Sequence, residues 1–268
     1  GAIALSPNFL IGFTTSLVHG KEEYNFAFSQ FDDDNLYNEY PGDFDEYTVN
    51  QYLQSEYLAM NIKLGGMVDL NNMFKIGGVI TLPSKYYVEE THSFSDNLFF
   101  DDGTNDPTDD SGNWDYHVKT PFIFDAGIAF TNKLITLSVA TRYRDWSQTS
   151  FEISDFEFDD SIVSENNYLA RDYDQVLEYR LGGEVTLPGL NTKLRAGYTL
   201  IPSPLRDSND ERVTYSAGIS FKIDKNVNLD FSYLNRDWTR DSWDIYTPAG
   251  VQENIKTHKV LVGLTYNL

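Results

Sequence analysis

The chain has 268 residues with 20 Lys and Arg against 41 Asp and Glu, so its formal net charge is −21, and it contains no Cys. The negative charge argues against nucleic acid as a partner, because phosphate binding needs a basic face, and the lack of Cys excludes disulfides and thiolate chemistry. No apolar run reaches the roughly 18 residues of a membrane-spanning helix. Aromatic residues nevertheless make up 15% of the chain, so it has many side chains that favour an apolar environment.

Apolar and polar residues alternate along most of the chain, which is the period of a β-strand with one apolar and one polar face. We found no long segment with the helical period of 3.6 residues. The pattern therefore predicts an all-β antiparallel meander of about eleven strands, the first of them partial. The predicted strands cover residues 1–5, 9 to about 28, 58–70, 74–82, 114–131, 135–144, 177–187, 194–200, 213–223, 227–233 and 256–268.

The connections between the predicted strands alternate in length. A soluble sandwich and a transmembrane up-and-down barrel both fit alternating strands, but only the barrel sorts short turns to one rim and long loops to the other. The sorting favours the barrel, with short periplasmic turns and long acidic extracellular loops. The short connections are 6–8, 71–72, 132–133, 188–191 and 224–226, and the long ones are about 29–51, 91–113, 153–172, 202–211 and 240–254.

Charged residues on the polar faces support the same choice. They would need ion-pair partners in a dry core, but in a water-filled lumen their desolvation costs little free energy. The alternative is that these charges lie on the solvated outside of a sandwich. The residues concerned are Lys63, Lys75, Asp125, Arg142, Arg180, Glu184, Arg195 and Lys222.

The acidic residues are concentrated in three segments, 29–51, 89–115 and 152–174, which hold 24 of the 41. A solvated, negatively charged outer surface is the expected result. The cluster of Asp101, Asp102 and Asp106 has a composition typical of calcium loops without the EF-hand spacing, so a Ca²⁺ site there is a weak candidate. We expect no other cofactor.

The four His residues are isolated and do not have metal-ligand spacing. His117 with Asp115 is the one local pair that a barrel hydrolase could use, and a lumen-facing polar residue is the favoured interpretation. No enzymatic motif is present, so we predict that the chain is not an enzyme.

Two segments repeat a local motif, Tyr-Arg-Asp-Trp at 143–146 and Asn-Arg-Asp-Trp at 235–238. Strand parity points their Arg and Trp side chains to the lumen, where a guanidinium beside an indole could receive a carboxylate and an apolar tail. A structural Arg–Asp pair with a rim Trp is the alternative. With two further lumenal arginines, the candidates for a ligand path are Arg142, Arg144, Trp146, Arg180, Arg236 and Trp238.

Pro83 and Pro121 fall at the ends of predicted strands. Proline cannot donate to the strand ladder, so a proline in a barrel wall marks a kink that could open a lateral gap. A simple strand end is the alternative.

Several stretches resemble the C-terminal half of the FadL/TodX outer-membrane transporter family. They are Tyr-Arg-Leu-Gly-Gly-Glu-Val-Thr-Leu-Pro-Gly at 179–189, Leu-Arg-Ala-Gly-Tyr at 194–198, Pro-Ser-Pro at 202–204, Arg-Val-Thr-Tyr-Ser-Ala-Gly at 212–218, the motif at 143–146, and Thr120-Pro121 followed by Gly127.

This resemblance implies a 14-stranded barrel in the bacterial outer membrane, plugged by an N-terminal hatch, that takes up long-chain fatty acids or aromatic hydrocarbons and releases them through the wall. Its expected partners are membrane lipid and a hydrophobic small molecule, and a monomer is expected. The hatch and its Asn-Pro-Ala signature are absent from residues 1–268, so we expect one barrel domain that lacks its N-terminal strands. A porin-like or structural surface barrel with cation-binding acidic loops is the alternative function, followed by the hydrolase.

Overall fold

The computed structural model describes residues 1–39, 43–153, 160–206, 208, 210–242 and 250–266. One antiparallel sheet contains all of the strands, which confirms the predicted all-β fold. The strands are β1 (Ala2–Ser6), β2 (Phe9–Phe31), β3 (Phe44–Asp69), β4 (Phe74–Thr81), β5 (Lys85–Phe100), β6 (Asn105–Lys119), β7 (Ile123–Thr131), β8 (Ile135–Asp145), β9 (Ser150–Ile153), β10 (Gln175–Leu187), β11 (Thr192–Ile201), β12 (Arg212–Lys222), β13 (Val227–Ser242) and β14 (Val251–Tyr266), with a 3₁₀ turn at Trp146–Gln148 and one helix, α1 (Asp160–Asp172).

The fourteen strand segments form eleven consecutive strands, as the sequence predicted, because three long strands are each interrupted once. β4 and β5 pair with the two halves of β3, β6 and β7 pair with β5 and β4, and β8 and β9 pair with β7 and β6. Neighbouring strands are otherwise sequential along the chain. In the described residues β1 and β14 are the two ends of the sheet, and the short β9 pairs only with β6.

The apolar face of the wall is exposed. Leu17 is 77% exposed, Leu137 53% and Leu264 71%, and these side chains lie on the face that alternation marked as apolar. Only four hydrophobic side chains of the described segments are buried, whereas a sandwich would bury one whole face of each strand. About ten residues per strand, at about 3.3 Å each and tilted by about 40°, make a band roughly 25 Å tall. This height matches that of the apolar band on the outside of an outer-membrane barrel. We call this face the outer face and the opposite one the inner face.

Five short turns lie at one end of the wall, which we call the turn end. Two of them use the same device: the side-chain oxygen of Asn71 accepts from the backbone N–H groups of Met73 and Phe74, and Asn132 does the same for Leu134 and Ile135, all at 2.8 Å. An Asn oxygen that substitutes for a strand carbonyl fixes a tight turn. The predicted short connections are therefore confirmed.

The opposite, extended end differs from the prediction at two of its long loops. Residues 29–51 and 91–113 lie mostly in two tall hairpins, in which β2 pairs with β3 up to Phe31 and β5 pairs with β6 up to a turn at 101–104. Beyond the apolar band both faces of a strand meet water, so the alternation disappears although the backbone groups still pair.

The helix α1 was also not predicted, and it lies inside the segment expected to be the loop 153–172. Its Asn166 accepts from the backbone N–H of Phe151 at 2.7 Å and donates to the carbonyl of Phe151 at 2.9 Å. A short polar helix of this kind is stabilised by such tertiary contacts rather than by its own pattern. The acidic residues Asp155, Glu157 and Asp159 of that predicted loop lie outside the described residues. Within the described segments, no helix is both long and apolar enough to cross a membrane.

Candidate functional site

Three adjacent strands are interrupted at the same height, at residues 82–84, 120–122 and 146–149, and we call this line the seam. Thr81 lies opposite Ile123 and Lys85 lies opposite Lys119, so the register places Pro83 directly opposite Pro121. Neither proline has a backbone N–H to donate. The two candidate wall kinks therefore meet in one gap of the hydrogen-bond ladder.

The strands also exchange their faces at the seam. Thr81 pairs with Lys63 but Tyr86 pairs with Ala59, so β4 to β5 contains one residue more than its partner strand. Such a bulge turns the following side chains to the opposite face. In β4, below the seam, the odd-numbered residues face inward, whereas in β5, above the seam, the even-numbered residues do.

Polar side chains substitute for the missing ladder bonds. The N–H of Ser84 donates to the Thr120 hydroxyl and the N–H of Thr120 donates to the Ser84 carbonyl, both at 2.9 Å, while the Ser84 hydroxyl donates to Asn61. Ser84 is only 3% exposed. The seam is thus closed by one backbone hydrogen bond and a few side-chain hydrogen bonds, which together are fewer than a continuous ladder would supply.

Two of the predicted ligand-path arginines are neutralised by carboxylates on the inner face next to the seam. The Nε of Arg142 donates to Asp125 at 2.7 Å, and its Nη2 donates to the other carboxylate oxygen at 3.3 Å. Arg180 donates to Glu178 at 2.7 Å, and Glu178 is 8% exposed. Buried charges of this kind are tolerated because they are paired.

Arg144 differs from both. Its guanidinium carbon lies 4.4 Å from the ring centre of Trp146, and its Nε is buried without a hydrogen-bond partner among the described residues. The register puts Arg144 opposite Ile123, two residues from Pro121, and Trp146 belongs to the seam itself. A guanidinium on an indole face with a vacant donor is suited to receive a carboxylate.

The second motif has a different geometry. Arg236 donates to the Thr214 hydroxyl at 3.3 Å, and it is Arg212, not Arg236, that lies over Trp238, at 5.9 Å from the ring centre. The strands β10, β11 and β12 separate the two motifs in the sheet. The Arg–Trp contact within one motif is thus present at 144–146, whereas at 236–238 the indole is contacted by Arg212 of the neighbouring strand.

Nearer the turn end, a second group of inner-face charges forms a network that the sequence indicated only by parity. Glu184 pairs with Lys193 and Arg195, both at 2.7 Å, and Arg195 pairs with Asp230 at 3.0 Å. The Asp230 carboxylate also accepts from the Ser220 hydroxyl. The network joins β10, β11, β12 and β13 and leaves its charges neutralised.

The remaining predicted residues lie away from the seam. His117 lies against the ring of Tyr87, at 5.4 Å between ring centres. Asp102 accepts from the N–H of Thr104 at 2.8 Å and from its hydroxyl at 2.6 Å, so its carboxylate shapes the hairpin turn. In the described part of the chain, no three acidic or His side chains form a group that could hold a metal. Calcium at Asp101, Asp102 and Asp106 stays a prediction from composition.

No protein-family model and no curated protein sequence matches the chain. Solved structures match it by shape. The deltaS2S3 mutant of TodX, a monoaromatic hydrocarbon channel, has a TM-score of 0.59 at 12% identity over 100% of this chain and 68% of its own. The Pseudomonas putida toluene transporter TodX has a TM-score of 0.50 at 11% identity over 99% of this chain and 81% of its own. A Pseudomonas aeruginosa FadL homologue has a TM-score of 0.42 at 10% identity, over 84% and 75%.

At these identities the likeness concerns the fold. It confirms, at that level, the resemblance to the FadL/TodX barrels and the barrel wall inferred from the alternation.

Proposed function

We propose that this chain forms the wall of an outer-membrane barrel that passes hydrophobic small molecules without an energy source. Within that class, we propose that an amphipathic ligand places its carboxylate at Arg144 and its tail at the seam. The observation that carries the proposal is an unpaired guanidinium, stacked on Trp146, beside the facing prolines Pro83 and Pro121. The fold shared with TodX supports it.

The energetics favour a long apolar tail. Burial of a chain of about 15 methylenes contributes roughly 12 kcal/mol. The acidic extended end repels an anionic head group, but salt screens that repulsion over about 8 Å. The ligand therefore enters because of its tail, and Arg144 fixes the position of its head.

The seam offers the exit. Its outer face carries the exposed rings of Phe122 and Phe124, which lie 6.0 Å apart. When the contacts between Ser84 and Thr120 open, a tail on the inner face reaches lipid without crossing a ladder of strand hydrogen bonds. The head group follows, because Arg144 lies within one strand of the gap.

Aromatic hydrocarbons are the second candidate ligand, because the TodX proteins are named as a monoaromatic hydrocarbon channel and a toluene transporter. Such ligands have no head group for Arg144, and Trp146 would be their main contact. A porin is the third candidate, supported by the acidic extended end and the charged inner face.

The test compares ligands in proteoliposomes that contain the purified chain. We expect a labelled long-chain fatty acid to enter at least tenfold faster than into protein-free vesicles, and faster than the alcohol of equal length. Equal entry rates for the acid and the alcohol would rule out a binding site for the carboxylate head group. Faster entry of toluene than of either would favour the aromatic ligand. Steady ion conductance in planar bilayers, without fatty-acid entry, would establish the porin.

A further inference from the structure

A groove of about 370 Å³ lies at the extended end, between α1 and the inner face of β6 and β9. Tyr116 lies opposite both Val88 and Ile153, and Val88 is on the buried inner face, so the register fixes which face the groove occupies. Trp114, Tyr116 and Phe151 form its wall side, and Ile162 closes it from the helix. The groove is above the seam and does not include any of the predicted ligand-path residues.

The wall side of the groove is held rigidly. The ring of Phe151 contacts the edge of Tyr116 at 5.7 Å between ring centres. The hydroxyls of Tyr116 and Ser55 both donate to one oxygen of Glu90, at 2.8 and 2.9 Å. Burial, and then this bond to Glu90, raise the pKa of Tyr116, so its phenol stays a donor at neutral pH. The Glu90 carboxylate is thereby oriented at the aromatic surface.

The charge around the groove has one sign. Two carboxylates, Glu90 and Glu165, border it, and among the lining residues that the structure describes there is no Lys, Arg or His. Trp114 is 56% exposed, so its ring face is open to a ligand. Carboxylates beside an exposed indole favour an ammonium group, by charge-assisted hydrogen bonds and by cation–π attraction, and disfavour an anion.

We propose that this groove binds a compact aromatic amine, with its ring against Trp114, Tyr116 and Phe151 and its ammonium at Glu90 and Glu165. The volume suits one or two rings, since a cavity of about 150 Å³ already holds benzene. The acidic extended end raises the local concentration of cations at the groove. The site is independent of the transport proposal, because it takes the opposite head-group charge on a separate surface.

The test is equilibrium binding to the purified full chain in detergent, by calorimetry, with three ligands that share a phenyl ring and a short chain. They are 2-phenylethylamine, 2-phenylethanol and 3-phenylpropanoate, which carry charges of +1, 0 and −1. We expect the amine to bind at least fivefold more tightly than the alcohol and the carboxylate to bind at least tenfold more weakly than the amine. Equal affinities for the three would overturn the proposal.

Two variants locate the ammonium. Glu165→Gln changes an exposed helix residue that cannot disturb the sheet, and Glu90→Gln changes the half-buried carboxylate that Tyr116 and Ser55 hold. Each variant should weaken amine binding about fivefold and leave alcohol binding unchanged. Glu89→Gln is the matched control, because Glu89 is the next residue on the same strand and faces away from the groove. Loss of amine affinity in Glu89→Gln to the same extent, or no loss in either groove variant, would show that only the overall charge attracts the amine.

Discussion

Arg142 and Arg144 point to the same face of β8, two residues apart, but only Arg142 is paired: it binds Asp125 through two hydrogen bonds, while the Nε of Arg144 is buried without a partner among the described residues. Proteins rarely leave a buried donor unsatisfied, because the desolvation of that group is not repaid. Arg142 is therefore held by a carboxylate, whereas Arg144 has no such partner in the described residues, and we propose that a ligand carboxylate supplies it.

Replacing Arg144 by Gln should therefore affect transport and not stability. We expect the entry of a long-chain fatty acid into proteoliposomes to fall about tenfold, since a charge-assisted hydrogen bond contributes about 1.5–3 kcal/mol. Entry of the alcohol of equal length should not change. Both rates are measured in the same vesicles, and the free energy of unfolding is measured by denaturant titration.

Arg142→Gln is the matched control. It leaves Asp125 half-buried and without its partner, so we expect the free energy of unfolding to fall by about 2 kcal/mol. The ratio of acid to alcohol entry should stay at the wild-type value. If Arg142→Gln and Arg144→Gln changed that ratio equally, the head group would be responding to the summed charge of the wall and not to Arg144.

The seam can be locked by a reversible cross-link, because the chain contains no native Cys. Leu82 and Phe122 lie opposite each other by register, one position from the facing prolines on the side of the turn end. Side chains at opposite positions are within about 5.5 Å at Cβ, which is near the range of a disulfide. We expect oxidation of the Leu82→Cys, Phe122→Cys protein to slow fatty-acid entry at least fivefold, and reduction to restore it.

The pair Ile80→Cys, Phe124→Cys provides the comparison, since these residues are also opposite each other but lie in the continuous ladder two positions away. A disulfide there should leave entry unchanged. Slowing by both cross-links to the same degree would mean that general stiffening, and not closure of the seam, limits the rate.

Much of the wall could be predicted from the sequence, because lipid on one side and a wet lumen on the other impose a strict period of two. The turn end was equally visible, since Asn71 and Asn132 are residues whose side chains substitute for the backbone in tight turns. The inner-face arginines followed from parity alone. Two elements of the seam were indicated by Pro83 and Pro121.

The rest could not be predicted because it depends on pairing across the sheet. The interruption at 146–149 contains no proline, and its alignment with Pro83 and Pro121 follows only from register. The tall hairpins lie in water on both faces, so no hydrophobic pattern marks them. Arg212 reaches Trp238 from the neighbouring strand, and α1 is stabilised largely by its contact with Phe151. The local pattern of apolar and polar residues does not predict such long-range contacts.

The docking of α1 should depend strongly on Asn166, whose amide makes two hydrogen bonds with the backbone of Phe151. Asn166→Ala removes both, and at about 1 kcal/mol each the opening equilibrium should shift by roughly 30-fold. Hydrogen exchange at the Phe151 amide measures the shift directly. Asn167→Ala, at the adjacent exposed position, is the control; equal acceleration in the two variants would attribute the effect to helix propensity instead of docking.

The tip of the β5–β6 hairpin should show two neighbouring carboxyls that titrate in opposite senses. Loss of hydration, and then the negative charges of Asp45 and Asp32, raise the pKa of Asp101, whereas the hydroxyl and N–H of Thr104 lower the pKa of Asp102 from its usual value of 3.8. Ionised Asp102 therefore stabilises the turn above about pH 4, and this stabilisation is lost as the pH falls through its lowered pKa. Ionised Asp101 opposes the folded tip, and its protonation on acidification relieves that repulsion.

Carboxyl carbon chemical shifts, measured by NMR across about pH 2–6, should show Asp101 taking up its proton at a higher pH than Asp102. Thr104→Val removes the larger cause of the Asp102 shift and retains the backbone N–H, so the pKa of Asp102 should rise toward its ordinary value while that of Asp101 changes little. Protonation of Asp102 before Asp101 in the wild-type chain would contradict the turn geometry on which this prediction depends.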